Sequence, residues 1–209
     1  MKNKLASLFA VVGLMLATLP AQAESLVDGS IEAGQAKALT CTACHGPEGN
    51  SANPLWPNIA GQNAPYLLQQ LQAFKSGTRQ DPLMSSQAMM LEDEDMADLA
   101  VYFESLPAAA QPIADPDLLD AGESLYRGGD LETGASACLA CHGPTGRGNP
   151  AAVYPALKGQ HADYVAKQLL AYADGSRQTD GKTRMMRDIA ARLSPEDIEA
   201  LSSYVQGLK

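Results

Sequence analysis

Leu67, Leu68, Leu71 and Phe74 recur at the spacing of a single helix face, with glutamines and Lys75 between them. Tyr66 to Lys75 therefore reads as an amphipathic helix, with Gly77 just beyond it as a stop. Tyr164 to Ala173 repeats the pattern and is followed by Gly175. A last helix is predicted from Ser194-Pro195-Glu196-Asp197, with serine as N-cap, proline in the first helical position and an acid at the third. Glu92 to Asp95 is its counterpart, a run of acids that suits a helix N-terminus. Ile31 to Thr40 and Leu118 to Tyr126 are further helical stretches, the second followed by a glycine-rich insertion, Gly128 to Gly134. No alternating strand pattern stands out, so the fold class is all-α. Long Gly, Pro and Asn stretches such as Gly46 to Pro57 lie between the helices, and loops of that kind are poorly supported unless they wrap something.

These elements occur twice because the chain is duplicated. Cys41-Thr42-Ala43-Cys44-His45-Gly46-Pro47 recurs as Cys138-Leu139-Ala140-Cys141-His142-Gly143-Pro144, and Trp56-Pro57-Asn58-Ile59-Ala60-Gly61-Gln62 as Tyr154-Pro155-Ala156-Leu157-Lys158-Gly159-Gln160. Tyr66, Gln70, Gly77 and Arg79 match Tyr164, Gln168, Gly175 and Arg177, and Met84 to Leu91 aligns with Met186 to Leu193. The offset grows from 97 residues at the cysteines to 102 at the methionines. That period is too long for a solenoid repeat and suits two copies of one domain. The copies are placed at 24–107 and 117–209. The proline-containing stretch 108–116 is expected to be an extended, semi-rigid linker.

Composition sharpens the picture. Hydrophobic residues make up 45% of the chain and aromatic residues only 5%. Two small domains with so little aromatic mass would have thin cores, which a bound apolar body could fill. Residues 1–23 read as a cleaved secretory signal: Lys2 and Lys4 precede the apolar run Leu5 to Leu19, then Ala21-Gln22-Ala23 supplies the cleavage pattern. Periplasmic export follows. The net charge of −9 becomes more negative once both lysines are removed, which argues against nucleic acid as a partner. Residues 24–107 hold 11 acids against three bases, whereas 117–209 hold 12 against ten. Such asymmetry is able to orient partners through the long-range field.

All four cysteines belong to the two Cys-x-x-Cys-His motifs, the signature of c-type haem attachment. Two thiols three residues apart on a helical turn reach both vinyl groups of one porphyrin, and the next residue turns its imidazole onto the iron. Two covalently bound haems c are thus expected, attached through Cys41, Cys44, Cys138 and Cys141, with His45 and His142 as iron ligands. A shared zinc site or redox-active disulfides compete with this reading. Neither needs a histidine directly after each pair, and neither explains the repeated downstream methionine.

Met84 and Met186 are the candidate sixth ligands, 39 and 44 residues after their histidines, and His/Met ligation is a known cytochrome arrangement. Each is expected to follow a haem-ligand loop and to precede the final helix of its copy. Met89, Met90, Met96 and Met185 read as gap-filling core residues. His161 has Asn63 as its repeat partner and is expected at the surface or a haem edge. Pro57 and Pro155 lie 12 and 13 residues after the histidines. A proline carbonyl accepting the Nδ1 proton would fix the tautomer of the axial histidine and raise its basicity.

Taken together, these motifs resemble the cytochrome c4 family, di-haem members of the class I cytochromes c. The resemblance rests on the two Cys-x-x-Cys-His-Gly motifs, the two Pro-x-hydrophobic-x-Gly-Gln segments and Tyr-Val-Ala-Lys-Gln-Leu at 164–169. Met-x-x-Ile-Ala-x-x-Leu at 186–193 and Ile-x-x-Leu-Ser-Ser-Tyr-Val-Gln-Gly-Leu at 198–208 complete it. It implies two class I domains related by approximate two-fold symmetry, with haem propionate edges facing across the interface. It implies His45/Met84 and His142/Met186 as axial pairs. It also implies a respiratory electron carrier between a donor such as a quinol-oxidising complex and a membrane terminal oxidase, loosely associated with the periplasmic face of the inner membrane. The first copy departs slightly: Gln80 to Leu83 is shorter than the matching stretch of the second. With both axial positions filled there is no open site, and the chain is expected to transfer electrons without catalysing a conversion. The alternative is a di-haem peroxidase or thiosulfate-oxidising enzyme with one open haem. A cytochrome subunit docked on a larger dehydrogenase is a third reading.

Overall fold

The computed structural model describes residues 25–208. The expected signal segment lies outside them. The described residues form ten α-helices: α1 (Ile31–Lys37), α2 (Leu39–His45), α3 (Ala64–Lys75), α4 (Pro82–Met89), α5 (Asp93–Ser105), α6 (Leu119–Gly128), α7 (Leu139–His142), α8 (Ala162–Ala173), α9 (Met185–Ala190) and α10 (Pro195–Gln206). Among these residues there is no strand, only the isolated bridges Asp130–Ala135 and Asn149–Tyr154. The all-α expectation is met.

Local chemistry sets the helix ends. Ser194 Oγ accepts from the Asp197 amide while Asp197 Oδ2 accepts from the Ser194 amide, a reciprocal capping box. Glu92 and Asp95 form the equivalent box on α5. The residues around Met84 and Met186 differ from the sequence expectation. Each methionine lies within a short helix, α4 or α9. In α4, Asp81 caps the Leu83 and Met84 amides, and Pro82 takes the first helical position, a start signal hidden inside what read as loop.

In each copy the first and last helices cross closely at a glycine. A Cβ on Gly34 would sit 2.1 Å from Asp98 O, and one on Gly122 would sit 2.3 Å from Ala200 O. The backbones of α1 and α5, and of α6 and α10, touch because no side chain separates them. Around these crossings lie the two cores. Ala38, Leu99 and Phe103 fill the first, and Tyr126, Val165, Leu201, Tyr204, Val205 and Leu208 the second. The copies differ beside the crossing. Lys37 Nζ reaches Asp95 at 2.8 Å and the buried Asp98 at 2.7 Å, and Asp98 Oδ1 also accepts from the Ser30 amide at 2.7 Å. The Lys37 ammonium and then that amide hold the Asp98 carboxyl below the usual carboxylate range. A depressed folded pKa contributes stability that is present above the unfolded value of about 3.9 and lost as pH falls through the folded one. Thermal unfolding followed by far-UV circular dichroism should show a midpoint that declines below roughly pH 4. Asp98→Asn should start lower at neutral pH and decline less steeply.

The two copies pack through paired contacts. Arg79 donates to Gln70 Oε1 (2.9 Å), Tyr164 OH (2.9 Å) and Gln168 Oε1 (2.8 Å). Arg177 donates to Gln168 Oε1 (2.7 Å), Tyr66 OH (2.7 Å) and Gln70 Oε1 (3.0 Å). Each bond has a counterpart with the copies exchanged, as a two-fold relation requires. The guanidinium groups lie 4.6 Å from the ring centroids of Phe74 and Tyr172 respectively. The stretch between α5 and α10's domain, 106–115, packs against both copies: Ala108 beside Gly61, Ala109 beside Gly159, and the Asp115 amide on Ser203 Oγ at 2.7 Å.

Candidate functional site

Each Cys-x-x-Cys-His motif sits on a short helix. Residues 41, 44 and 45 lie on α2, and 138 begins the turn that α7 continues through 141 and 142. The glycine after each histidine, Gly46 or Gly143, has a φ of 82° or 77°. That left-handed turn ends the helix and carries the chain away from the imidazole. The fully buried Tyr126 donates its hydroxyl to Gly143 O at 2.7 Å, pinning the end of α7. In the first copy, Ser51 Oγ donates to Cys44 O at 3.1 Å.

The loop after each motif folds back over the histidine. The Ile59 and Ala60 amides both reach Gly49 O, as the Leu157 and Lys158 amides reach Gly146 O. This places the proline carbonyls: His45 Nδ1 donates to Pro57 O at 2.8 Å, and His142 Nδ1 to Pro155 O at 2.9 Å. Both rings are buried. Burial lowers both pKa values, with the carbonyl bond working in the opposite direction. Each ring is therefore a neutral imidazole whose Nδ1 carries the proton and whose Nε2 carries the free lone pair.

The donor set suits a covalently held porphyrin better than its rivals. No disulfide joins any of the four cysteines. Burial pushes the Cys138 thiol up to about 11 and raises that of Cys41, whereas a redox-active Cys-x-x-Cys depresses one thiol. Among the described residues no three His, Cys, Asp or Glu side chains converge to hold a bare metal ion, so the two cysteine pairs do not form a joint zinc site. What remains in each copy is two thiols and one oriented imidazole, the set that a haem c uses.

Among the methionines, Met84 and Met186 are half-buried at corresponding places on α4 and α9. Met96 is fully buried, as a gap-filler should be, but Met89 and Met90 are each 70% exposed. They end α4 on its outer side, where no core faces them. Met185 lies at the attachment site, its Sδ 4.0 Å from Cys141 Sγ and 3.8 Å from Tyr154 OH. His161 is not at the surface. It is buried between the copies, with Nε2 2.9 Å from Ser51 O and Nδ1 3.3 Å from Gln111 Nε2. Its repeat partner Asn63 likewise crosses the interface, donating to Tyr154 O at 2.8 Å. The two positions share a place in the duplication although their side chains differ.

The family model for cytochrome c matches residues 31–107 and again 121–209. The chain is 51% identical to cytochrome c4 of Azotobacter vinelandii over 189 residues, 86% of this chain and 90% of that protein. The chain belongs to the cytochrome c4 family. The crystal structure of reduced recombinant cytochrome c4 from Pseudomonas stutzeri superposes with a TM-score of 0.84 at 48% identity, covering 87% of this chain and all of that one. A more distant relative, 36% identical over 81% of this chain and 78% of its own length, is the thiosulfate dehydrogenase electron acceptor of Thiomonas intermedia. As a cytochrome c4 family member the chain is a di-haem electron-transfer protein of two tandem class I domains, with Cys41/Cys44 and Cys138/Cys141 spaced to hold two covalent haems c.

Proposed function

We propose that this chain is a periplasmic carrier that takes electrons from a donor such as a quinol-oxidising complex and delivers them towards a membrane terminal oxidase, catalysing no conversion itself. The observation that carries this reading is the equivalence of the two sites. Each copy pairs a carbonyl-fixed histidine, His45 on Pro57 or His142 on Pro155, with a half-buried methionine, Met84 or Met186, on the short helix before its last one. A haem supplies a one-electron iron couple when bound. The cysteines would tether it, and the histidine imidazoles and methionine sulfurs would together hold its iron and keep water and small ligands away from it. Thioether ligation raises the potential, which suits donation to an oxidase. The pocket histidines have their Nδ1 protons committed to carbonyls and are not free to relay protons to a substrate.

The holoprotein tests this directly. Two haems per chain, a weak long-wavelength ferric band from methionine sulfur on iron, and no binding of cyanide at rest are expected. A high-spin component or rapid cyanide binding at one haem would instead indicate an enzyme with an open site. The Thiomonas relative is named as an electron acceptor of thiosulfate dehydrogenase, so the donor side of this carrier extends to dehydrogenases of that kind. Co-purification with a dehydrogenase would place the chain as its docked subunit.

A further inference from the structure

The two histidine-bearing loops are not independent, because each is hydrogen bonded by a glutamine from the opposite domain. The peptide unit joining Pro57 and Asn58 accepts from His45 Nδ1 through its carbonyl at 2.8 Å. Its N–H donates to Gln160 Oε1 at 2.9 Å. The unit joining Pro155 and Ala156 accepts from His142 Nδ1 at 2.9 Å and donates to Gln62 Oε1 at 2.8 Å. Each glutamine closes a second bond to the same residue, Gln160 Nε2 to Asn58 O and Gln62 Nε2 to Ala156 O, both 2.8 Å. Gln62 and Gln160 are 7% and 8% exposed, so water does not compete for these bonds.

A peptide unit is polarised as a whole, since its C–N bond has partial double-bond character. An acceptor on the N–H draws electron density towards the carbonyl oxygen, and hydrogen bonds in such chains strengthen one another by perhaps 10–30%. The carbonyl then pulls harder on the Nδ1 proton and makes Nε2 a stronger donor. A more basic axial imidazole favours the ferric state and lowers the potential.

We infer that Gln160 is a positioning residue for His45 and Gln62 for His142, so that each domain sets the ligand strength, and thereby the potential, of the haem in the other. The inference rests on the proposed histidine ligation. Holding the domains together then lowers both potentials, and a partner that loosens the interface makes both haems easier to reduce.

The test uses the holoprotein with Gln160→Leu and Gln62→Leu, singly and together. The two midpoint potentials are followed by spectroelectrochemistry, and each haem is assigned to its domain by paramagnetic NMR. Gln160→Leu should raise the reduction equilibrium constant of the haem held at His45 by roughly two- to tenfold, the range of one hydrogen bond, with a smaller effect at His142. Gln62→Leu should do the reverse, and the double variant should raise both. In the ferrous protein the Nδ1 proton resonance of the affected histidine should move upfield. A shift confined to the haem in the substituted domain, an equal shift at both haems, or no shift would overturn the inference. Should the leucine variants misassemble, Gln160→Asn shortens the arm while keeping it polar and must give the same crossed pattern. Failure of the ligation reading is distinguishable, because the unsubstituted protein would then lack the resonances of an iron-bound imidazole.

Discussion

Met186→Ala is expected to remove about half of the long-wavelength ferric absorbance, to lower the potential of one haem, and to let cyanide bind one haem per chain where none bound before. Met84→Ala should do the same at the other haem. Each sulfur would occupy a coordination position on its iron that otherwise stands open to small ligands, and losing a thioether ligand withdraws the feature that raises the potential. The second copy adds a check, because Met185 sits beside Met186 with its sulfur already against Cys141 and Tyr154. If Met186→Ala keeps the band and Met185→Ala loses it, the ligand is Met185. Titration with cyanide, followed by the Soret band of each variant, separates these outcomes.

Gly122→Ala is expected to destabilise the second domain strongly. Its Cβ would meet Ala200 O at 2.3 Å and Tyr204 Cβ at 2.7 Å, and since the nearest atom is backbone, α6 and α10 would have to separate. Overpacking of this kind costs about 1–3 kcal/mol or more, and in a domain of this size that lowers the melting temperature by on the order of 10 °C. Gly34→Ala should behave alike in the first domain. The control is Gly128, at the far end of α6, where an added Cβ meets nothing within 4 Å. Gly128→Ala should be neutral or slightly stabilising, because alanine restricts the unfolded chain more than glycine does. Equal losses for Gly122→Ala and Gly128→Ala would show that the close crossing does not account for the effect.

Most of the helices were legible because their apolar faces and caps are local signals: the face of α3, the serine cap of α10 and the acids that open α5. The attachment motifs were legible because the chemistry requires fixed spacing. The proline carbonyls were found because duplication singled out Pro57 and Pro155, and each lies within hydrogen-bond reach of its histidine. The short helices α4 and α9 were missed, being too brief to show periodicity. The larger omission has one cause. Gln62, Gln160, Arg79, Arg177, Tyr66 and Tyr164 were all recognised as repeated positions, but repetition was read as a property of one copy. In the folded chain these side chains bond to the other copy, and a single sequence does not distinguish contacts within a copy from contacts between copies. The burial of His161 between the copies was missed for the same reason. The glycine crossings were also invisible, because the insertion before Cys138 shifts Gly122 out of the register that relates the later motifs.

The short connection between the domains has a consequence in mass action. With its middle packed beside Gly61 and Gly159 and its end bonded to Ser203, the connection leaves each half facing the other at an effective concentration in the millimolar range. An interface with an intrinsic dissociation constant of about 10 μM between free halves would then stay closed roughly 99% of the time. A polar, hydrogen-bonded seam that would be too weak to join two separate proteins at cellular dilution suffices here. The proximity of the two redox centres thus becomes a property of a single molecule, independent of how much of it the cell makes.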